Sequence, residues 1–471
     1  MTSVPSVSYS ITVRLEVPAR NAVSVLTAAV EQVGGVVTAL DVSASGHDRV
    51  QIDVTCAARD TAHAEELVGA MRAVPGVAIG RVSDRTFLMH LGGKIEMQSK
   101  HPIRNRDDLS LIYTPGVARV CLAIAANPED ARRLTIKRNS IAVVTDGSAV
   151  LGLGNIGPMA ALPVMEGKAA LFKRFGDIDA WPLCLDTQDV DEIVAVVKAI
   201  APGFGGINLE DISAPRCFEV ERRLRDELDI PVFHDDQHGT AIVVLAALLN
   251  SLRLLHKQLS RVRIVMSGAG AAGTAILRLL KGAGAVDVIS ADIDGIVYRG
   301  RPGIGPDLTW VAENTNAGGM QGDLRRAIAG ADVFIGVSAP NLLTGADIAT
   351  MAPDAVVFTL ANPDPEVDPA AASEYAAVVA TGRSDFPNQI NNVLAFPGVF
   401  RGLLDAQSRK VDQRLLLAAA HAIAAVVKAD ELNASYIVPS VFHPAVHQAV
   451  AAAVAAAVRE AARQRRTGTH G

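Results

Sequence analysis

The chain has 471 residues, 49% hydrophobic and 20% charged, with a formal net charge of −6. That length exceeds one ordinary core, so two or three domains are expected, and the composition is that of a soluble folded protein rather than a disordered one. The mild acidity argues against a nucleic-acid or anionic-membrane partner.

The opening residues, MTSVPSVSYS, carry no basic segment followed by an apolar one, so no secretory signal is expected. No transmembrane span is expected either: the Ala-rich stretch Val446 to Val458 is too short and too weakly hydrophobic. Cys56, Cys121, Cys184 and Cys217 are widely spaced without a C-x-x-C pattern. They suit reduced thiols in a cytoplasmic protein.

In chain order, Ile11, Val13, Leu15 and Val17 alternate with polar residues, the period of a strand with one buried face. A helix is expected over Ala19 to Val33, ended by Gly34 and Gly35. Strands near Val36–Val42 and Val50–Cys56, a helix near Thr61–Val74 and a strand near Val77–Ser83 complete a ferredoxin-like βαββαβ order for residues 1–86. A hinge with Gly92 and Gly93 follows. Strands and helices then alternate, as in α/β layers with parallel sheets. They divide into blocks at 94–250 and 251–400. Ala-rich helices over Gln413–Lys428 and Pro444–Gln464 fill the remainder, 401–471, and RQRRTGTHG reads as a frayed basic tail.

Tyr113 precedes Thr114 and Pro115, which suit the cap and first turn of a helix. The tyrosine itself reads equally as a core aromatic. Gly152-Leu-Gly-Asn-Ile-Gly157 has the spacing of a dinucleotide turn but runs into Pro158, and the next strand lacks a suitably placed acid. It reads as a loop that brings backbone close to something else. On the helix that follows, Val164, Lys168, Leu171, Phe172 and Phe175 share one face. A lysine on that apolar stripe would have its pKa lowered by desolvation and suit a general base, unless it snorkels to solvent.

FGGINLEDI and IPVFHDDQ are apolar runs ending in acids, joined by a helical segment, Ala214 to Leu228. In a βαβ unit, Glu210, Asp211, Asp235 and Asp236 emerge at the same sheet edge, from strands ~4.8 Å apart when adjacent. Four crowded carboxylates call for a counter-charge, and hard oxygen ligands suit Mg²⁺ or Mn²⁺. Helix capping or solvation is the plainer alternative. His234 and His238 flank these acids without a convincing third soft ligand, so supporting roles are expected rather than zinc.

Gly268-Ala-Gly-Ala-Ala-Gly273 meets the full dinucleotide fingerprint. A strand precedes it (Arg261–Ser267), a helix follows (Thr274–Ala283), and Asp292 ends the next strand, Val286–Ser290. Gly268, Gly270, Ala271, Ala272 and Gly273 would let a pyrophosphate approach the backbone N–H groups of a Rossmann-type domain. Asp292 would accept from the adenosine ribose and repel a 2′-phosphate, favouring NAD over NADP, although Arg299 and Arg301 downstream could serve a phosphate.

Together these residues resemble the malic enzymes, of the shorter bacterial type. The similar segments are LIYTPGVA, TDGSAVLGLGNIGPMAALPVMEGKAALFK, INLEDI, VFHDDQHGTA, GAGAAG, LANPDPEV and GRSDFPNQINNVLAFPG, spanning roughly Gly92 to Gly402. The resemblance implies an NAD-dependent oxidative decarboxylation of L-malate to pyruvate and CO₂. It implies Tyr113 as general acid, Lys168 as general base, Asp235 as a carboxylate beside that lysine, and Glu210, Asp211 and Asp236 as divalent-metal ligands. Asn362 and Asn392 match asparagines that contact nicotinamide or substrate. The family suggests homodimers. The first 86 residues resemble an ACT domain, a module for small effectors. Its turn VPARNAVSVL lacks the usual effector-site glycine, which leaves dimerisation as a competing role. Two other readings are a metal-independent amino-acid dehydrogenase, which chelator resistance would favour, and a non-catalytic NAD and effector sensor, which turnover of L-malate would eliminate.

Overall fold

The period-2 stretch near the N-terminus becomes one of the two inner strands of a four-stranded antiparallel sheet. The computed structural model describes residues 5–18, 22–45 and 48–468. It contains two compact units, Met1–Glu96 and Met97–Gly471.

In the first unit, β1 (Ser6–Pro18), β2 (Val36–Ser45), β3 (Arg49–Ala58) and β4 (Ala78–Asp84) lie in the order β2-β3-β1-β4. All neighbours are antiparallel. Val13, Leu15 and Val17 are buried with Leu26 and Val30 of helix Ala22–Gln32 and with Leu67 and Met71 of helix Thr61–Arg72. On the opposite face Arg14 pairs bidentately with Asp53 across the strands, at 2.8 Å for each bond. Residues 19–21, the centre of VPARNAVSVL and the expected start of the first helix, lie outside the described residues. A short helix not foreseen in the sequence, Arg85–His90, follows β4, its first N–H groups donating to Asp84.

The second unit carries two parallel sheets. The first comprises β5 (Ser140–Thr145), β6 (Asp179–Cys184), β7 (Gly206–Leu209) and β8 (Val232–His234), in the order β6-β5-β7-β8. The second comprises β9 (Arg263–Ser267), β10 (Asp287–Asp292), β11 (Gly295–Ile296), β12 (Val333–Gly336), β13 (Val356–Thr359) and β14 (Val378–Thr381). Its order is β11-β10-β9-β12-β13-β14, parallel except for the two-residue β11. Strand order reverses between β9 and β12, the switch point at which open α/β sheets bind ligands.

One core spans both sheets. Helix Thr240–Leu254 is apolar nearly all round and is buried along almost its whole length. The division drawn at 250/251 falls inside it. Phe172 packs edge-on against Phe396 and Phe400, tying the Lys168 helix (Pro158–Gly176) to helix Phe396–Asp405. Helices Gln413–Val426 and Val446–Gly468 join the same core through Leu415, Ile423, Val450 and Val454. The expected frayed tail is corrected in part: helix continues through Gly468, carried on from the Ala-rich run before it, and residues 469–471 lie outside the described residues.

The stretch Arg106–Ala126 behaves differently. Its length and mean hydropathy of 1.6 would suit a membrane span, and none of it is buried. It breaks at Tyr113–Gly116 into helices Arg106–Ile112 and Val117–Ala126. At 1.5 Å per residue the longer spans about 15 Å, half of what a bilayer core requires. Thr114 and Pro115 do not open the second helix as the sequence suggested; Gly116 occupies the N-cap.

Candidate active site

Lys168 sits midway along helix Pro158–Gly176, with Met165, Ala169 and Phe172 buried around it. Its Nζ lies 2.6 Å from Asp235 Oδ2 and 2.7 Å from Glu210 Oε1, and 4.2 Å from the centre of the Phe396 ring. The side chain is only 10% exposed, so it does not snorkel to solvent. Burial alone would lower its pKa, as the apolar stripe implied. The charges of Asp235 and Glu210 outweigh that effect, and the pKa is raised. The expectation of a depressed lysine is corrected on this point, because it counted desolvation and not the two partners.

The acids stand where two parallel strands end. Leu209 and His234 are paired residues of β7 and β8, so Glu210–Asp211 and Asp235–Asp236 leave the sheet side by side at its C-terminal edge. One oxygen from each of Glu210, Asp211 and Asp236 falls within 4.8 Å of the others. The Asp211 N–H donates to Asp236 Oδ2 at 2.9 Å, fixing that carboxylate beside its neighbours. Burial, then the Asp236 charge, pushes the Asp211 carboxyl up to about 8; burial raises Glu210 well above its usual range despite Lys168. Asp211 Oδ2 is buried without a hydrogen-bond partner among the described residues. Three converging hard oxygens, one of them orphaned, fit a divalent cation of the Mg²⁺ or Mn²⁺ type.

Asp235 faces the other way. Its Oδ2 also accepts from Asn392 Nδ2 at 3.1 Å, and Asn392 Oδ1 in turn accepts from Thr240 at 3.2 Å. The two aspartates begin a single turn of π-helix, Asp235–Gly239, where the chain must accommodate the buried Asp235 carboxylate. A Cβ on Gly239 would lie 1.9 Å from Asp235 Oδ1, so only glycine leaves that oxygen its place.

The flanking histidines do not converge on a third soft ligand. His234 is fully buried with neither ring nitrogen in a hydrogen bond among the described residues, Nδ1 lying 3.7 Å from Asp236 Oδ2, and burial lowers its pKa. His238 Nε2 lies 2.6 Å from Glu221 Oε1, and Gln237 donates to the other Glu221 oxygen at 3.3 Å. Sequence reading missed Glu221. Its signal was present: Cys217, Val220, Glu221 and Leu224 fall at helical spacing on the buried face of helix Arg216–Glu227, where an acid requires a partner.

Tyr113 is not drawn into this cluster. It is 66% exposed in the arm 106–126 and hydrogen-bonds to none of these residues. The loop Gly152–Gly157 does bring backbone close: a Cβ on Gly152 would sit 2.8 Å from the Asn362 carbonyl oxygen. Asn362 itself is exposed there, next to Pro363.

At the switch point, helix Ala271–Gly282 starts directly on the second glycine turn, three residues earlier than the sequence suggested. Gly273 stands so close to Gly268 that a Cβ would lie 2.0 Å from its carbonyl oxygen. Nothing lies within 4 Å of where a Gly270 Cβ would project, and no side chain caps the helix. The glycine turn that starts the helix lines a cavity of about 1060 Å³ through Gly268, Ala269 and Gly270, with Asp292 and Ser338 on its other walls. Arg301 clamps both oxygens of Asp292, the Oδ1 bond being 2.8 Å. Of the two arginines that sequence offered as phosphate ligands, Arg301 is thus spent on the acid that would receive the ribose, and Arg299 donates to the Glu313 carbonyl at 3.3 Å. The arrangement fits a dinucleotide.

Fold and site define a two-sheet α/β oxidoreductase of the dinucleotide-binding class. Residues 92–225 match the malic enzyme N-terminal domain family and residues 237–463 the malic enzyme NAD binding domain family. The chain is 56% identical over 421 residues to the NAD-dependent malic enzyme of Geobacillus stearothermophilus, covering 89% of this chain and 88% of that protein. It is 53% identical over 356 residues to the bifunctional malic/malolactic enzyme of Bacillus subtilis, covering 75% and 87%. The crystal structure of an NAD-dependent malic enzyme from Thermotoga maritima matches with a TM-score of 0.76 at 48% identity, over 79% of this chain and 99% of that one. The chain belongs to the malic enzyme family.

Proposed function

We propose that the protein oxidatively decarboxylates L-malate to pyruvate and CO₂, with NAD as oxidant and Mg²⁺ or Mn²⁺ bound by Glu210, Asp211 and Asp236. The observation that carries this reading is the burial of Lys168 between Asp235 and Glu210, beside three carboxylates whose oxygens lie within 4.8 Å of one another. The dinucleotide would supply a hydride acceptor, and the cation would polarise the substrate's C2 oxygen and stabilise enolate charge.

Lys168 Nζ then takes the proton of the C2 hydroxyl. With Glu210 shared with the cation, Lys168 would be held less firmly in its charged form, and Asp235 would keep it oriented. Asn392 donates to the same Asp235 oxygen and helps to fix it. After loss of CO₂, the Tyr113 hydroxyl would return a proton to C3, a role that requires the arm 106–126 to bring it to the cluster it stands apart from here. Gly268, Gly270, Ala271, Ala272 and Gly273 would cradle the pyrophosphate, Asp292 the adenosine ribose, and Asn362 the nicotinamide side. The orientation in which Arg301 holds Asp292 toward the ribose site supports NAD over NADP.

The chain acts as a homodimer in this reading. The arm 106–126, none of it buried and with Leu111 at 76% and Leu122 at 71% exposure, supports a covering second copy. The βαββαβ unit serves as an ACT-like module for pairing or for a small effector, and the four free cysteines suit a reducing, cytoplasmic setting. The test is formation of pyruvate and NADH from L-malate with Mn²⁺. The two should appear in equal amounts, faster with NAD than with NADP, and cease on adding a chelator. Chelator-resistant turnover, or none with L-malate, would refute the assignment.

A further inference from the structure

One carboxylate far in sequence from the Lys168 cluster is wholly enclosed: Glu366, at 0% exposure. Its Oε1 accepts from the Ser338 N–H at 2.7 Å and, more weakly, from the Ser338 hydroxyl at 3.5 Å. Its Oε2 accepts from the Thr359 hydroxyl at 3.0 Å and the Ala361 N–H at 3.2 Å. None of these donors is charged. A carboxylate is costly to bury, and an aliphatic residue would fill a core more cheaply, so a purely space-filling role accounts poorly for it.

The donors explain its place. Ser338 follows β12 and lines the cavity at the glycine turn, and its hydroxyl lies 2.8 Å from that of Ser267, the last residue of β9. Ala361 follows β13 and directly precedes Asn362. Glu366 therefore ties together the two loops that leave adjacent strands at the switch point. Its own backbone is held to the first of them: the Asn341 N–H donates to Pro365 O and the Leu343 N–H to Glu366 O, each at 3.0 Å. Gly336 leaves room for it, because a Cβ there would lie 2.4 Å from the Glu366 carboxyl carbon.

We infer that Glu366 is a positioning residue of the dinucleotide site, clamping the Ser338 loop and the Ala361–Asn362 loop in the shape that binds the cofactor without touching it. The inference rests on the NAD reading above. Glu366→Gln keeps the volume but turns an NH₂ group toward one of the two backbone N–H donors, which releases one loop.

The experiment is fluorescence titration of the full-length protein with NADH, together with steady-state kinetics in NAD and in L-malate. Glu366→Gln should raise the NADH dissociation constant and KM for NAD roughly tenfold, with KM for malate and kcat little changed. An NADH constant within twofold of wild type, or equal losses for NAD and malate, would overturn the inference. Gly336→Ala supplies an independent arm. It should weaken NADH binding in the wild-type background and cost nothing further in Glu366→Ala, where its methyl group has space. Additive losses would count against the clamp. Wild-type protein that binds no NADH would overturn the NAD reading and this inference together; wild-type binding that Glu366→Gln leaves intact overturns only the inference.

Discussion

Asp235 and Asp236 are adjacent in sequence and divergent in space. Asp235 is fully buried against Lys168 and Asn392, whereas Asp236 is partly exposed and held by the Asp211 N–H. The residue pattern placed both at the sheet edge, because a βαβ unit dictates it, whereas only the resemblance to the malic enzymes implied a different role for each. The pattern also erred on the sign of the Lys168 shift, since an apolar stripe reports desolvation while the opposing charges come from residues 42 and 67 positions away. Asp211 yields a pH prediction. Its carboxyl is raised from 3.8 to about 8, so the folded protein retains a proton that the unfolded chain gives up. The stability this group contributes is complete below pH about 4 and is lost as pH rises through about 8. Mn²⁺ needs the ionised form and displaces that proton. The rise in Tm on adding Mn²⁺ should therefore be larger at pH 8 than at pH 6; a pH-independent rise would contradict the placement of the ion.

At the scale of elements, the π-turn after β8 is the critical connection. Helix and strand periods forecast what lies on either side of it, yet no period announces a five-residue turn built around one buried carboxylate. Gly239→Ala places a methyl group 1.9 Å from Asp235 Oδ1, and relieving the clash means moving the backbone or Asp235. The expected cost is ~1–3 kcal/mol of stability, seen as a lower Tm, with malate oxidation reduced at least roughly tenfold. Wild-type kcat in this variant would show that the Lys168–Asp235 contact does not need the turn. Glu221 makes the complementary point: it was legible as an acid on a buried helix face, whereas its partners His238 and Gln237 emerge only once the turn is in place. Glu366 had no such signal, because its donors lie on loops without periodicity.

For the molecule as a whole, the βαββαβ order and the alternating α/β layers were legible from hydrophobic period and turn residues. The continuity of the core across the 250/251 division was not, since it depends on a helix buried on every side between two sheets. Nor was the exposed arm, where Tyr113 reads equally as a core aromatic until the fold leaves it uncovered. If a second copy covers the arm, Leu111→Arg combined with Leu122→Arg should convert a dimer to a monomer by light scattering at micromolar concentration. A wild-type monomer under those conditions would contradict that assignment.

The buried contact of Lys168 with Asp235 and Glu210 is the feature on which the chemistry rests. It is tested by the kcat of Lys168→Ala with L-malate, NAD and Mn²⁺. Loss of a general base predicts a fall of about 10²–10⁴-fold with NADH binding intact. A kcat within about threefold of wild type would show that another group takes the proton.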